Sequence, residues 1–435
     1  MPSARRLWAC VQRRFPTCIK RRHSLSRSPK QKAPSHVYPF DFSSIDAAQA
    51  DFSLALLREF APEESKIVSP ASFGMLLMMV AVGAQGRTKE EILKAVGGVE
   101  VGEEAVERHF LRLMEDVAAE STNFELKMAN RLYVDWERRL HEEFVARFEA
   151  KFPNALRTAD FARKENVAEE INAFVKETTN GLLAEAVDAD SVQKHFPILG
   201  VNALFFKASW EKPFNMTETR LDAFHFDPKR LINVRMMGRK DKFWYARDEN
   251  CQVLGLPYTG DNTAMFVFLP HKMDGLATLE TTLDGRRCLE LIRKAGSNSQ
   301  VIKARIPLFR VATDLSARDH FGGVGIHTAF DPFSADFTAM DGIDDLGRRL
   351  FIGDVRHQAI IEVNEDGTVV AAVTCSIYYG CSGIPSPSVP VFLADHPFLF
   401  FIVKGTDVLF VGRCAEESSF DQREIDWDEF QRKMR

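Results

Sequence analysis

Site chemistry needs nucleophiles, general acids and bases, or metal ligands at workable spacing, and this chain offers few such sets. It has no G-x-S-x-G elbow and no G-x-x-x-x-G-K-[ST] phosphate loop. His141-Glu142 lacks the second histidine of a zinc-binding helix, and Gly322-Gly323-Val324-Gly325 does not complete a dinucleotide fingerprint. The isolated histidines read as structural or exposed groups. Seven cysteines, at 10, 18, 251, 288, 375, 381 and 414, form no C-x-x-C pair and are odd in number. Neither a disulfide framework nor a zinc site is suggested, and free thiols in a reducing compartment are expected. No enzyme, metal or cofactor is indicated.

One segment is unusual. Thr368 to Ala394 runs for 27 residues without a charged side chain. It opens with small and β-branched residues and closes with Pro385, Pro387 and Pro390. A long uncharged loop in a compact domain is usually functional or disordered. Thr368 to Thr374 reads equally well as a strand, so the segment is a candidate two-state element. Cys375 and Cys381 lie six residues apart on it, either as two free thiols or as a redox-sensitive pair.

Several elements must position such a loop. Ile45, Phe52, Leu56 and Phe60 recur at helical spacing, with Ser43 and Ser44 as caps. Ser69-Pro70 opens an apolar helix to about Ala84, because proline suits a first helical turn. Leu126, Met128, Leu132 and Val134 share one strand face with the polar Asn130, and Val167, Ile171, Phe174 and Thr178 mark a further helix. Ile198 to Phe206 is almost continuously apolar, the pattern of a strand covered on both sides. Strand signals recur at Ala264–Leu269, Ala359–Val363, Phe398–Val403 and Val408–Val411, the last two joined by a hairpin-length turn, 404–407. Helices first, then mixed elements, then mostly strands, predict one large α+β domain with more than one sheet.

Of the 435 residues, 45% are hydrophobic, ample for a large core, and no apolar run reaches the length of a membrane span. Residues 1–40 hold ten Lys or Arg and no acid. The remainder holds 46 basic and 61 acidic residues, a net of −15 that disfavours nucleic acid and heparin. Residues 1–40 have no apolar signal-peptide core, so secretion is not expected despite the sequon Asn215-Met216-Thr217. They fit a disordered tail, a mitochondrial transit peptide or, through Lys20-Arg21-Arg22, a nuclear signal on an otherwise cytoplasmic protein. Residues 415–435 form a charged extension with Phe420, Ile425, Trp427 and Phe430 interspersed.

Glu362-Val363-Asn364-Glu365-Asp366-Gly367-Thr368 resembles the hinge of the serpin family, and Phe392 to Ile402 resembles its C-terminal signature. Ser69-Pro70-Ala71-Ser72, Ile171 to Val175, and Asn202-Ala203 with Phe206 to Trp210 match in order. The Ala394-Asp395-His396-Pro397-Phe398 variant is closest to the intracellular, ovalbumin-like branch. The resemblance implies one α+β domain over residues 41–414, with three β-sheets, about nine helices and an exposed reactive-centre loop at about 365–391. It implies an inhibitor rather than an enzyme: a serine or cysteine endopeptidase cuts the loop, which then inserts into the main sheet. The partner would be that protease, met by a monomer, with no nucleic acid, membrane or cofactor. Heparin is not expected, since residues 103–120 of the matching helix are acidic overall.

Carried over residue by residue, the hinge comprises Glu365, Gly367, Thr368, Val370, Ala371 and Ala372. Val369 and Val370 depart from the family's preference for an acid and then alanine. By alternation Thr368, Val370, Ala372 and Thr374 share one face. The family's spacing from Gly367 puts the reactive bond at Cys381-Ser382; Tyr378, Tyr379 and Ile384 are the alternatives. Ser69, Ser72, Asn202 and His357 match the shutter beneath the main sheet and are expected to form one hydrogen-bond cluster. Trp210 and Glu365 match the breach, where the loop first inserts. Leu308 stands where the family has a basic residue, which makes Arg310 the expected partner of Glu365. A non-inhibitory binding, chaperone or carrier role is the alternative, which Val369 and Val370 favour and Gly367-Thr368 disfavour.

Overall fold

The computed structural model describes residues 40, 42–118, 124–181, 183, 185–260, 262–342, 349–368 and 389–420. These contain nine α-helices: α1 (Ser44–Arg58), α2 (Pro70–Ala81), α3 (Gly86–Ala95), α4 (Gly98–Val101), α5 (Glu103–Ala118), α6 (Glu142–Lys151), α7 (Lys164–Thr178), α8 (Leu276–Thr282) and α9 (Gly285–Gly296). The early strands are β1 (Lys66–Val68), β2 (Phe124–Asp135), β3 (Leu156–Ala159), β4 (Ile198–Ser209) and β5 (Arg220–Asp227). Then come β6 (Arg230–Arg247), β7 (Cys251–Pro257), β8 (Thr263–Pro270), β9 (Ser299–Pro307) and β10 (Phe309–Ser316). The chain closes with β11 (Ile352–Val363), β12 (Gly367–Thr368), β13 (Val391–Leu393), β14 (Phe398–Lys404) and β15 (Asp407–Cys414).

The strand that reads as buried on both faces is so placed. β4 lies inside a six-stranded sheet of order β10-β11-β12-β4-β2-β3. Its Leu204, Phe206 and Ala208 join the main core. Its Leu199, Val201, Ala203 and Phe205 pack with Val167, Ala168, Ile171 and Val175 of α7 on the opposite face. The remaining strands form one hydrogen-bonded path, β1-β15-β14-β8-β7-β6-β9-β13, with β5 on β6. The 18-residue β6 is shared by two sheets, pairing β5 through residues 230–236 and β7 through 244–247. The fold is therefore the single α+β domain of three sheets that the motifs implied.

Local chemistry explains the helix starts. Ser43 caps α1 in a capping box with Asp46. Ser69 caps α2, Pro70 occupies its first turn, and every residue of this helix is buried. Phe420, beyond the last strand, is buried too: its ring centroid is 4.2 Å from that of Phe224, and it bridges Phe309.

Arg413 of β15 is fully buried and anchors the loop after α1. Its Nε donates to the Glu64 carbonyl at 2.7 Å, its Nη2 to those of Phe60 and Ala61, and its Nη1 to Glu280 Oε2 at 2.9 Å. Arg413→Met leaves the Glu280 carboxylate and three carbonyls without this partner, and is expected to lower unfolding free energy by about 3–5 kcal/mol. Urea denaturation at pH 7 checks it; a loss under about 1 kcal/mol would mean that the pair and its carbonyl contacts add little.

Candidate functional site

The two central strands of the main sheet run parallel. Ile352 to Ile360 of β11 pairs with Ile198 to Phe205 of β4, which sets His357 beside Asn202. Above that stretch the strands are parted by β12. Thr368 pairs antiparallel with Val363 of β11, while Gly367 and Thr368 pair with Ser209 and Ala208 of β4. Gly367 and the first residue of the uncharged segment, Thr368, thus already form a strand between the central pair.

A tight turn makes this possible. The Asn364 side chain accepts from the amides of Asp366 and Gly367 at 3.0 and 3.2 Å, and the Asn364 amide donates to the Gly367 carbonyl at 2.9 Å. Gly367 is required by close approach: a Cβ there would collide with the Ala208 carbonyl oxygen. Thr368 turns into the core, where its hydroxyl meets the Tyr258 hydroxyl at 2.6 Å. Tyr258 stacks on Trp210, with centroids 4.5 Å apart, and the Trp210 indole donates to the Asn364 carbonyl at 2.9 Å. Burial pushes the Tyr258 hydroxyl pKa far up, so it stays protonated and free to hydrogen-bond.

Trp210 and Glu365 do come together at this end of the sheet, but Arg310 does not serve Glu365. Glu365 Oε1 accepts from Thr219 Oγ1 at 2.7 Å and lies 3.6 Å from Arg235 Nη2 of β6. Arg310 is exposed, in register opposite Glu362. β10 alternates inward and outward from Phe309, so Arg310 points to solvent, whereas Glu365 has left its strand and turned toward the next sheet. Sequence reading missed Tyr258, Thr219 and Arg235, which lie on other elements and carry no motif.

The four shutter candidates are all buried, and they fall into two groups rather than one network. Asn202 Oδ1 lies 2.5 Å from His357 Nδ1, which must therefore carry the proton and donate. The His357 ring lies tilted against that of Phe73 of α2, with centroids 4.3 Å apart. Separately, the Ser69 hydroxyl accepts the Ser72 amide at 3.1 Å, and the Ser72 hydroxyl donates to Asn130 Oδ1 at 3.1 Å. Asn130 of β2 stands in register opposite Asn202, so Asn130, Asn202 and His357 form a row across three strands. Burial alone drives the His357 imidazolium pKa down to about 3, so the ring is neutral. Val370, Ala371, Ala372, Cys381 and Ser382 lie outside the described residues, as do 1–39 and 421–435. Cys251, Cys288 and Cys414 are buried free thiols. No described helix is long and apolar enough to cross a membrane.

The described part of the chain is an α+β protein whose main sheet holds Gly367-Thr368 between its two central strands. A family model described as Serpin (serine protease inhibitor) matches residues 47–416, and the chain belongs to the serpin family. It is 32% identical over 385 residues to the leukocyte elastase inhibitor of Bos taurus, spanning 85% of this chain and 99% of that one. It is 30% identical over 383 residues to that of Homo sapiens, with the same coverage. The structure of uncleaved ovalbumin superposes with a TM-score of 0.73 at 24% identity, covering 86% of this chain and 100% of that one.

Two outcomes follow from this geometry. Arg235→Ala is expected to lower native-state stability by about 1–3 kcal/mol, since Glu365 loses its charged neighbour, while Arg310→Ala stays within about 0.5 kcal/mol. Equal effects in thermal denaturation would overturn the assignment of Arg235. For His357, the unfolded ring takes up its proton near 6.5 and the folded ring only at about 3. The unfolded state therefore binds more protons between those values, and stability falls as pH drops through that window by about 1.4 kcal/mol per pH unit. His357→Gln should narrow the gap between unfolding midpoints at pH 7 and pH 5; an unchanged gap would show that the ring is not buried neutral.

Proposed function

We propose that the protein is a suicide-substrate inhibitor of an endopeptidase of chymotrypsin-like, elastase-like or papain-like specificity. The observation that carries this is the seating of Gly367-Thr368 between β4 and β11. The leukocyte elastase inhibitors named above support an elastase-like target. The segment from 368 to 394 contains no Lys, Arg, Asp or Glu, so proteases that require a charged residue at the cut, such as trypsin-like enzymes and caspases, are not the targets.

The register supports the reading in detail. Continued antiparallel from Thr368, it would put Val370 between Phe206 and Ile361, and Ala372 between Leu204 and Ala359, all four of them core residues. Thr374 would arrive between Asn202 and His357 and displace their hydrogen bond. Tyr378 would reach Ile198, the start of β4. A strand that fills β4 therefore ends just short of Cys381-Ser382, which leaves that bond at the far end of the sheet. In the reaction, the protease hydroxyl or thiol adds to the Cys381 carbonyl carbon. The C–N bond to Ser382 breaks, the proton of the attacking group passes to the Ser382 amine, and residue 381 stays bound to the protease as an ester, or a thioester where the attacking group is a thiol. Pairing of the freed segment with both β4 and β11 then supplies the driving force that carries the protease along. In this reading Trp210 and Glu365 guard the point of insertion, and Ser69, Ser72, Asn202 and His357 hold the sheet closed.

The purified protein is to be mixed with chymotrypsin-like, elastase-like and cathepsin-like proteases and run on denaturing gels. A complex that survives SDS is expected, with a released C-terminal peptide whose mass begins at Ser382. Clean cleavage without a complex across the panel would replace this reading with a non-inhibitory binding or carrier role; a peptide starting elsewhere would move the bond to Tyr378, Tyr379 or Ile384.

A further inference from the structure

Away from the main sheet, α1, α5 and the β14–β15 turn meet around Asp46, His109 and Asp407. One ligand-type atom from each lies within 4.8 Å of the other two. The three residues are 1%, 9% and 5% exposed. Ser43 donates to Asp46 Oδ2 through its amide and hydroxyl at 2.6 and 2.7 Å, while Oδ1 has no protein partner. Gln49, 2% exposed, sets its amide nitrogen 2.8 Å from His109 Nε2, and its Oε1 also has no protein partner. His109 Nε2 is 3.7 Å from Asp407 Oδ1. Arg112 Nη2 reaches the same Asp407 oxygen at 2.8 Å and His109 Nδ1 at 3.5 Å.

Two carboxylates and one guanidinium leave a net negative charge in a place largely removed from water, and uncompensated buried charge is unfavourable. Lys404 and Asp116 are the other charged groups acting on Asp407.

We propose that Asp46, His109 and Asp407 bind one divalent transition-metal cation of the zinc class, joining α1, α5 and the β14–β15 turn, with the Gln49 amide turning over to free His109 Nε2 and to bring its Oε1 in as fourth donor. One imidazole with oxygen donors suits Zn2+. Donors about 2.1 Å from zinc in a tetrahedron stand roughly 3.4 Å apart, so the 3.7 Å between His109 and Asp407 needs little contraction, while the wider spacings, up to 4.8 Å, need side-chain rotation to close. The Arg112 side chain, 52% exposed, occupies the solvent side of the Asp407 oxygen that the cation takes. Arg112 is thus a competitor that swings out on binding.

The full chain, stripped with a chelator and kept reduced, is to be titrated with Zn2+ alone, with Co2+ as the spectroscopic substitute. Expected are one bound equivalent and Co2+ d–d absorption without a thiolate charge-transfer band. His109→Ala and Asp407→Asn should each weaken binding by at least about tenfold, with circular dichroism confirming the fold. Arg112→Ala keeps every ligand and removes the competitor, so it should tighten binding, and it decides the matter even where a ligand variant fails to fold. A thiolate band, binding indifferent to the ligand variants, or no tightening in Arg112→Ala overturns the proposal.

Discussion

The seam between β4 and β11 is the constraint on which the rest of this structure depends. The two strands run parallel and pair directly along most of their length, yet part at one end to hold Gly367 and Thr368. The chain leaves β11 at that same end and reverses through the 364–367 turn. A segment that continues from such a turn is antiparallel to β11. Because β4 is parallel to β11, the segment is antiparallel to β4 as well and can form full ladders with both. Connectivity and strand direction thus permit one mode of continuation for a strand that follows Thr368, antiparallel to both β4 and β11.

The groups on the seam divide its two tasks. At the open end, packing dominates: Trp210 on Tyr258, the Tyr258 hydroxyl on Thr368, and the Asn364 turn all hold the first inserted residues in place. Lower down, a row of short polar side chains, Asn130, Asn202 and His357, spans β2, β4 and β11. Apolar side chains there would pack well but would give the sheet no directional bond across the seam. A single hydrogen bond between Asn202 and a neutral imidazole is worth only about 1 kcal/mol net. It joins the strands without making their separation prohibitive.

The fold was legible wherever one element carried its own signal. The capping serines, the all-apolar α2 and the doubly buried β4 follow from residues within each element. Motifs pointed to Gly367-Thr368 and to the Asn202–His357 pair, but not to the split of Ser69 and Ser72 into a separate group with Asn130. What escaped was contact between elements distant in the chain. Alternation can set Arg310 and Leu308 on one face of an ideal strand, but it cannot say that Glu365 leaves the sheet to meet Thr219 and Arg235. Tyr258 is an ordinary tyrosine until the β12 register brings Thr368 onto it. Asp46, His109 and Asp407 come from a helix start, a helix middle and a hairpin, and no spacing rule connects them.

The departure from the family's hinge pattern can be weighed on the same register. Val369 would lie opposite Lys207, which is partly exposed, and needs no core space. Val370 would lie between Phe206 and Ile361, which are 0% and 1% exposed, and there extra methyl groups must be fitted. Overpacking of this kind costs about 1–3 kcal/mol. Against it stands a strand of 11 residues, Thr368 to Tyr378, whose ladder bonds contribute about 0.5–1.5 kcal/mol each. The sum of the ladder exceeds the single misfit, so Val370 bears on the rate at which the seam opens to admit it more than on where the equilibrium lies. In the inhibitory reading proposed above, rate is what would matter, because the inserting strand would have to outrun hydrolysis of the acyl bond at residue 381.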